Sequence, residues 1–149
     1  MTQQQALASA FPAGTKIVRQ TFFLTPQQLD AAKKASGVDF TDRLIVRYGD
    51  KTVGWAYFDS HRVRTLPETV MVVVTPQGTI AKVDILSFDE PPDYLPKRRW
   101  IDQLLGRKLD DELSLKRAVR PISGASLSGR ALVNASRKVL ALHGLIGAK

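Results

Sequence analysis

The stretch ETVMVVVTPQGTIAKVDILSF, residues 68–88, decides the fold class of this 149-residue chain. Two runs rich in β-branched residues, 68–75 and 79–88, flank a short Pro-Gln-Gly segment, and this arrangement is typical of a β-hairpin. The uninterrupted apolar run over residues 70–74 indicates a strand that is covered on both faces. We therefore predict that the middle of the protein is a sheet built from hairpins.

The segments around this hairpin extend the sheet and add helices. Residues 44–48 and 53–58 flank Gly49 and Asp50, a pair suited to a tight turn, and residues 15–24 predict a further strand. Helices are predicted over residues 3–10, from Pro26 to a stop at Gly37 with Thr25 as N-cap, over residues 99–105 and over residues 128–143. The fold class is α+β: a largely antiparallel sheet flanked by helices, with a C-terminal helix after the SGAS motif.

The final predicted helix is amphipathic. Gly144 is predicted to end it, and His143 lies near its C-terminus, where a cation is favoured. Its apolar face is predicted to comprise Ala131, Leu132, Ala135, Val139 and Leu142, and the residues largely away from that face are Arg130, Asn134, Arg137 and Lys138.

Composition excludes several classes of chemistry. The chain has no cysteine, so it forms no disulfide, thiolate metal site or thiol nucleophile, and any redox chemistry must come from a cofactor. Its longest apolar run is far shorter than a membrane span. We predict no transmembrane segment in this chain.

The net charge of +8 is concentrated in the last third of the chain. Residues 1–95 carry 10 basic and 10 acidic residues, whereas residues 96–149 carry 12 and 4. This asymmetry indicates either a solvated basic face or an anionic ligand or acidic protein partner. Nucleic acid is not predicted as a partner, because aromatic residues do not alternate with the basic ones.

The segment ISGASLSG, residues 122–129, combines small residues with hydroxyls just before the final helix. Gly124 and Ala125 would let the backbone approach a bulky ligand closely, and Ser126 or Ser128 would cap the helix. A helix N-terminus with free N–H groups favours an anion such as phosphate. A serine-capped helix with no ligand is the alternative interpretation.

Three stretches together resemble a known family. They are DSHRVRTLPE at residues 59–68, SFDEPPDYLPKRRWIDQLLGRKL at residues 87–109, and the SGAS motif at residues 123–126. They resemble the FMN-binding domain shared by the NqrC and RnfG subunits of membrane redox pumps and by many small exported flavoproteins. The resemblance covers about residues 53–143, and it implies a single FMN-binding domain over residues 1–149, with a helix-strand-helix extension at 1–40 and a core at 41–149.

The resemblance implies specific roles for residues. The cofactor is FMN, attached as a phosphoester to Ser126 by a separate FMN transferase. Serine stands here in place of the family's usual threonine acceptor, and Arg120 stands where the family motif has an acidic residue. No catalytic residue and no metal ligand are implied. The remaining implied cofactor contacts are Ser123, Gly124, Ala125, Leu127, Ser128, Glu90, Pro92, Tyr94, Leu95, His61, Arg64 and Thr65.

The implied function is electron transfer by an exported, periplasmic flavoprotein whose redox partner is another protein, with a membrane-bound partner as one option. A cytoplasmic location stays open. Three interpretations remain beside it. The chain could bind FMN noncovalently, it could be a flavin-free interaction module, or it could be a hydrolase that uses Ser126 as nucleophile. His61 is either a flavin contact or a hydrogen-bonded structural residue, and Trp100 and Trp55 are predicted core residues.

Overall fold

The computed structural model describes residues 1–122 and 124–147 of the chain. Their strands form one antiparallel sheet in which spatial order follows chain order, with no crossover. The predicted α+β class with hairpin-built sheet and C-terminal helix is confirmed. The strands are β1 (Val18–Phe23), β2 (Leu44–Asp50), β3 (Gly54–Arg62), β4 (Pro67–Val74) and β5 (Ile80–Phe88).

Helices cover both faces of the sheet. The helices are α1 (Gln3–Ala10), α2 (Pro26–Ser36), α3 (Arg98–Ile101) and α4 (Ser126–Ile146), with single 3-10 turns at Pro92–Tyr94 and Asp102–Leu104. Helix α2 begins as predicted, with the Thr25 hydroxyl accepting from the Gln28 N–H, and it ends at Gly37 with φ +72°. Among the described helices, none has both the length and the apolar character needed to cross a bilayer.

Strand β4 confirms the prediction of two covered faces. All of residues 70–74 are buried. Val70, Val72 and Val74 belong to the main core beneath α4, whereas Met71 and Val73 pack in a smaller cluster with Ala6 of α1. Because side chains alternate across a strand, one run of apolar residues supplies both layers of the core.

The turn between β2 and β3 lies later than predicted. Gly49 and Asp50 belong to β2, where Asp50 pairs with Gly54 across the ladder. The chain reverses over residues 51–53 because the Asp50 carboxylate accepts from the N–H groups of Thr52 and Val53, both at 2.8 Å. The predicted Gly49–Asp50 turn is therefore wrong, since the aspartate side chain stabilises a turn that follows it.

Helix α4 begins earlier and ends later than predicted. Its N-cap is Ala125, whose side chain offers no acceptor. The prediction that Ser126 or Ser128 caps the helix is therefore wrong. Gly144 does not end the helix, because Leu145 and Ile146 still pack against the core, and their burial outweighs the weak helix propensity of glycine. The helix ends instead at Gly147, with φ +87°.

Candidate functional site

A cleft lies at the start of α4 between two loops, and we call it the helix-start cleft. Its volume is about 250 Å³. The loop after β3 contributes Arg64, and the 3-10 turn after β5 contributes Tyr94. The lining residues are Arg64, Tyr94, Gly124, Ala125, Ser126, Leu127 and Ser128. Seven of the residues predicted to contact the cofactor or to carry it thus lie together.

A buried carboxylate positions the loop that carries Arg64. Glu90 is only 6% exposed, and its Oε2 accepts from the N–H of Arg64 at 3.1 Å and from that of Thr65 at 3.4 Å. The guanidinium of Arg62 donates to the Thr65 carbonyl and tightens the same loop. Glu90 and Thr65, both predicted to contact the cofactor, therefore support the cleft from behind through backbone contacts.

Arg64 itself extends over the ring of Tyr94. Its guanidinium carbon lies 5.3 Å from the ring centroid, and a guanidinium N–H donates to the Tyr94 hydroxyl at 3.3 Å. Stacking on an aromatic face restricts the arginine while leaving other N–H donors for an anion. The side chain is exposed, so its positive charge faces the cleft and solvent.

Trp100 positions the opposite wall. Its indole N–H donates to the Arg120 carbonyl, and the Arg120 N–H donates to Gln103 Oε1 at 2.9 Å. The indole also lies against α4 so closely that a Cβ built on Gly129 would be 3.1 Å from Trp100 Cζ2. This contact fixes the loop before α4 to the first turn of that helix, and it supports the prediction that Trp100 has a packing role.

The first turn of α4 leaves polar groups available to a ligand. The N–H groups of residues 126, 127 and 128 donate to no described acceptor, as expected of a helix without a side-chain cap. Ser126 is exposed at the first helical position. Gly124, with φ +75°, permits the sharp approach to the helix, and a Cβ there would meet nothing within 4 Å. Glycine is thus required by backbone conformation and not by crowding.

A second cavity lies beside Leu95, the residue that follows the 3-10 turn at Pro92–Tyr94. It has a volume of about 370 Å³ and is mostly apolar. Leu95, predicted to contact the cofactor, lies here beside Tyr94 and is 43% exposed, while Pro92 begins the turn and is exposed. The cavity is lined by Ile85, Leu86, Ser87, Phe88, Leu95, Pro96, Arg98 and Ile101. Ser123, the remaining predicted contact in the motif, lies outside the described residues.

His61 is not among the residues that line the helix-start cleft and lines a different cavity. It is on β3, where its Nδ1 is 2.8 Å from Asp59 Oδ2 and its Nε2 is 2.6 Å from Glu68 Oε1. Burial alone would lower the pKa of His61, but hydrogen bonds and charge from the two carboxylates outweigh it and raise the pKa to about 9. His61 is therefore an imidazolium at neutral pH, held between two carboxylates.

Lys138 of α4 extends this group of charges. Its Nζ is 2.7 Å from Asp59 Oδ1 and 2.7 Å from Asp42 Oδ2, and the residue is only 7% exposed. We call Asp42, Asp59, His61, Glu68 and Lys138 the charge cluster. The prediction that Lys138 lies away from the buried face is wrong. Its spacing of three from Ala135 and four from Leu142, both buried, was the sequence signal that places it on that face.

His143 is neutral and does not act as the cation expected at a helix end. It is 6% exposed, and its Nδ1 is 2.8 Å from the Tyr57 hydroxyl. Burial, together with the nearby Arg47 charge, lowers the pKa of His143 to about 4. A neutral ring bound to a tyrosine hydroxyl satisfies both groups inside the core.

This antiparallel α+β domain places an exposed hydroxyl, an arginine and N–H groups without an acceptor among the described residues at one helix start, an arrangement that suits an anion. Residues 66–141 match the family model of the FMN-binding domain, which is half of the chain. The chain therefore belongs to the FMN-binding domain family, and FMN is the cofactor that this membership indicates. Comparisons with curated proteins and with solved structures found no match.

The residues of the helix-start cleft fit the phosphate end of FMN. A phosphate at the first turn of α4 would meet N–H donors that have no acceptor among the described residues and the Arg64 guanidinium, and the charges are of the required sign. Most of the cleft, including Tyr94 and residues 124–128, falls inside the matched range, whereas Arg64 lies just before it.

Proposed function

We propose that this protein is an electron-transfer flavoprotein that carries FMN as a phosphoester on Ser126. The observation that carries the proposal is the position of Ser126: an exposed hydroxyl at the first residue of α4, in a cleft that also contains Arg64. Family membership indicates the cofactor, and the position of this hydroxyl supports Ser126 as the attachment point.

The chemistry of the cleft favours attachment by a separate enzyme. The described residues that line it include no carboxylate and no histidine, so neither of these usual bases lies beside the Ser126 hydroxyl. A hydrolase needs such a base and an oxyanion site in permanent position, and the same lining argues against that interpretation. A transferase would instead supply the base transiently during maturation.

Attachment requires an activated phosphate donor, and a flavin dinucleotide provides one. The Ser126 oxygen would form a bond to the flavin phosphorus while the pyrophosphate P–O bond breaks and the nucleoside monophosphate leaves. The hydroxyl proton would pass to the base of the transferase. Arg64 and the first-turn N–H groups of α4 would neutralise the phosphodiester that remains.

Bound FMN supplies the one- and two-electron chemistry that the side chains of this cysteine-free chain lack. The chain's own role is to hold it and limit its access to water. Tyr94 lines the helix-start cleft, and Leu95, the next residue, lines the apolar cavity. These two residues are therefore placed to contact the flavin beyond its phosphate. We further propose that the protein is exported to the periplasm, loaded there by an FMN transferase, and oxidised or reduced by a partner protein.

A second candidate is a module that binds FMN noncovalently or has lost it. Arg120 favours this alternative, because it replaces the acidic residue of the family motif with a side chain of opposite charge. The Arg120 backbone is held by Trp100 and Gln103, so the substitution leaves the loop anchored and alters the charge that a transferase would meet.

Coexpression with an FMN transferase separates these candidates. Denaturing intact-mass measurement should show the parent chain heavier by one FMN less one water, Ser126→Ala unmodified, and Ser126→Thr modified. Ser128→Ala, which removes a buried hydroxyl two residues away, is the matched control and should stay modified. An unmodified parent chain that is yellow only before denaturation would favour noncovalent binding, and a modified Ser126→Ala chain would place the ester elsewhere.

A further inference from the structure

A third cavity, of about 540 Å³, lies between α4 and the loop segment over residues 111–117. We call it the basic cleft. Four cationic side chains and one carboxylate line it, so its lining charge is strongly positive. The lining residues are Asp111, Leu113, Ser114, Leu115, Lys116, Arg117, Arg130, Val133, Asn134 and Arg137.

Arg137 builds the wall of this cleft. Its guanidinium donates to the Ser36 carbonyl at 2.7 Å, to the Asp110 carbonyl at 2.7 Å and to the Leu113 carbonyl at 3.0 Å. These bonds connect α4 to the end of α2 and to the loop that forms the other side. The concave shape is therefore maintained by hydrogen bonds from the Arg137 side chain to backbone carbonyls, and it does not depend on a ligand.

The other three cations are available to a partner. Lys116, Arg117 and Arg130 are exposed, and no carboxylate of the described residues lies within ion-pair distance of them. In contrast, Lys138, on the same helix, is neutralised by two aspartates. Uncompensated like charges in one cleft raise the local concentration of an anionic partner and its association rate.

The basic cleft continues the face of α4 on which Ser126 lies. Arg130 follows Ser126 by four residues, and residues 133, 134 and 137 continue along the helix from there. Four residues correspond to about 6 Å along a helix axis. The cations thus begin about one turn from the proposed attachment point of the cofactor.

We infer that the basic cleft is the docking site for an acidic segment of the protein that exchanges electrons with the cofactor. This inference rests on the proposed function, since that function requires a partner to approach the start of α4. A partner seated on Arg130 would lie close to the helix-start cleft. The three exposed cations would orient it and accelerate its encounter.

The shape and lining favour an acidic polypeptide over other anionic surfaces. No aromatic side chain is among the described lining residues, so the cleft offers no platform on which nucleic-acid bases stack. Its concave form accommodates an inserted segment of chain, with Leu113, Leu115 and Val133 as apolar contacts between the charges. A flat bilayer surface would reach the rim cations but not this lining.

The test uses the full-length, flavin-free chain and a labelled dodecapeptide of alternating glutamate and serine. Fluorescence anisotropy should show saturable binding that weakens as salt rises, and a glutamine–serine peptide with the same label should not bind. Lys116→Ser/Arg117→Ser and Arg130→Ser should each weaken binding by about fivefold or more. Lys16→Ser/Arg19→Ser removes two exposed cations elsewhere and should leave binding unchanged.

Amide chemical shifts locate the binding site. Changes confined to residues 111–117 and the adjoining face of α4 are expected, and changes centred elsewhere would overturn the inference. Equal weakening by the control pair, or tighter binding to single-stranded RNA or to anionic vesicles than to the peptide, would also overturn it. Ser126→Ala should bind the peptide normally, so loss of flavin attachment and loss of docking are scored separately.

Discussion

Helix α4 contributes to both the charge cluster and the helix-start cleft, and the polar groups of these two regions have different surroundings. In the charge cluster, Lys138 is paired with two aspartates of the chain itself, and every member makes at least one internal contact, although the buried Glu68 Oε2 accepts no hydrogen bond from the described residues. In the helix-start cleft, the first-turn N–H groups donate to no described acceptor, and Arg64 faces solvent.

This difference separates a structural arrangement from a binding site. Buried charges are retained when they neutralise each other, because removing one leaves another uncompensated in a medium of low dielectric. Donors left facing a cleft are stabilised by water until a ligand replaces it. Substitutions in the charge cluster should therefore change stability, and substitutions in the helix-start cleft should change ligand binding with little effect on stability.

The largest effect is expected from Lys138→Met, which keeps the side-chain length and removes the charge. Asp59 would lose its ammonium partner inside the protein, and the free energy of unfolding should fall by about 3 kcal/mol. Urea denaturation measures it. Lys34→Met, at an exposed position on α2, is the control and should change stability by less than about 0.5 kcal/mol. A similarly small loss of stability for Lys138→Met would contradict the proposed difference between the charge cluster and the helix-start cleft.

The pH dependence of stability should show an optimum near pH 6.5. His61 has a pKa of about 9 in the folded chain against a usual 6.5, so its stabilisation is complete below pH 6.5 and is lost as pH rises through 9. His143 has a folded pKa of about 4, so its contribution is present above pH 6.5 and is lost as pH falls toward 4. Each limb amounts to up to about 3 kcal/mol.

Denaturation at several pH values tests the two limbs separately. His61→Asn should flatten the alkaline limb, because no imidazolium then bridges Asp59 and Glu68. His143→Gln should flatten part of the acid limb and leave the alkaline limb intact. A parent chain whose stability rises from pH 7 to pH 9 would refute the assignment of a charged His61.

Two glycines of α4, Gly144 and Gly129, should respond in opposite directions to substitution by alanine. A Cβ at Gly144 would meet nothing within 4 Å, so Gly144→Ala should raise the unfolding free energy by about 1 kcal/mol through helix propensity. At Gly129 the same Cβ would lie 3.1 Å from Trp100, whose indole is held by its bond to the Arg120 carbonyl. Gly129→Ala should instead destabilise by about 1 kcal/mol and impair FMN loading. Equal gains at both positions would show that Trp100 yields easily.

The smallest effect in free energy is expected from Arg64→Ala. Unfolding should be unchanged within about 0.5 kcal/mol because the side chain is exposed. In a flavin-free chain that carries Ser126→Ala, adding Arg64→Ala should lower the affinity for free FMN by about fivefold, since one charge-assisted contact to phosphate is lost. Flavin fluorescence measures this, with Arg19→Ala, an exposed cation on β1, as the control. An unchanged affinity would place the phosphate away from Arg64.

The sequence predicted the features that depend on local patterns. The hairpin over residues 68–88, the Thr25 cap with its stop at Gly37, and the two covered faces of β4 follow from side-chain alternation, turn residues and capping chemistry. The family resemblance supplied the cofactor and brought most of the cleft residues into one set. These features need no knowledge of distant partners.

The features that the sequence analysis missed depend on contacts far apart in the chain. Asp42 and Asp59 precede Lys138 by 96 and 79 residues, and nothing local indicates that they meet. The neutral state of His143 depends on burial against Tyr57 and on the charge of Arg47. The length of α4 beyond Gly144 likewise follows from core packing that propensity alone does not describe.

The most direct test of the central claim is the site of flavin attachment. Trypsin should release residues 118–130 as one peptide, since Arg120 precedes proline, and this peptide contains Ser123, Ser126 and Ser128. After coexpression with an FMN transferase, tandem mass spectrometry should place the flavin phosphate on Ser126 alone. Flavin on either other serine, on a different peptide, or on no peptide would contradict the account.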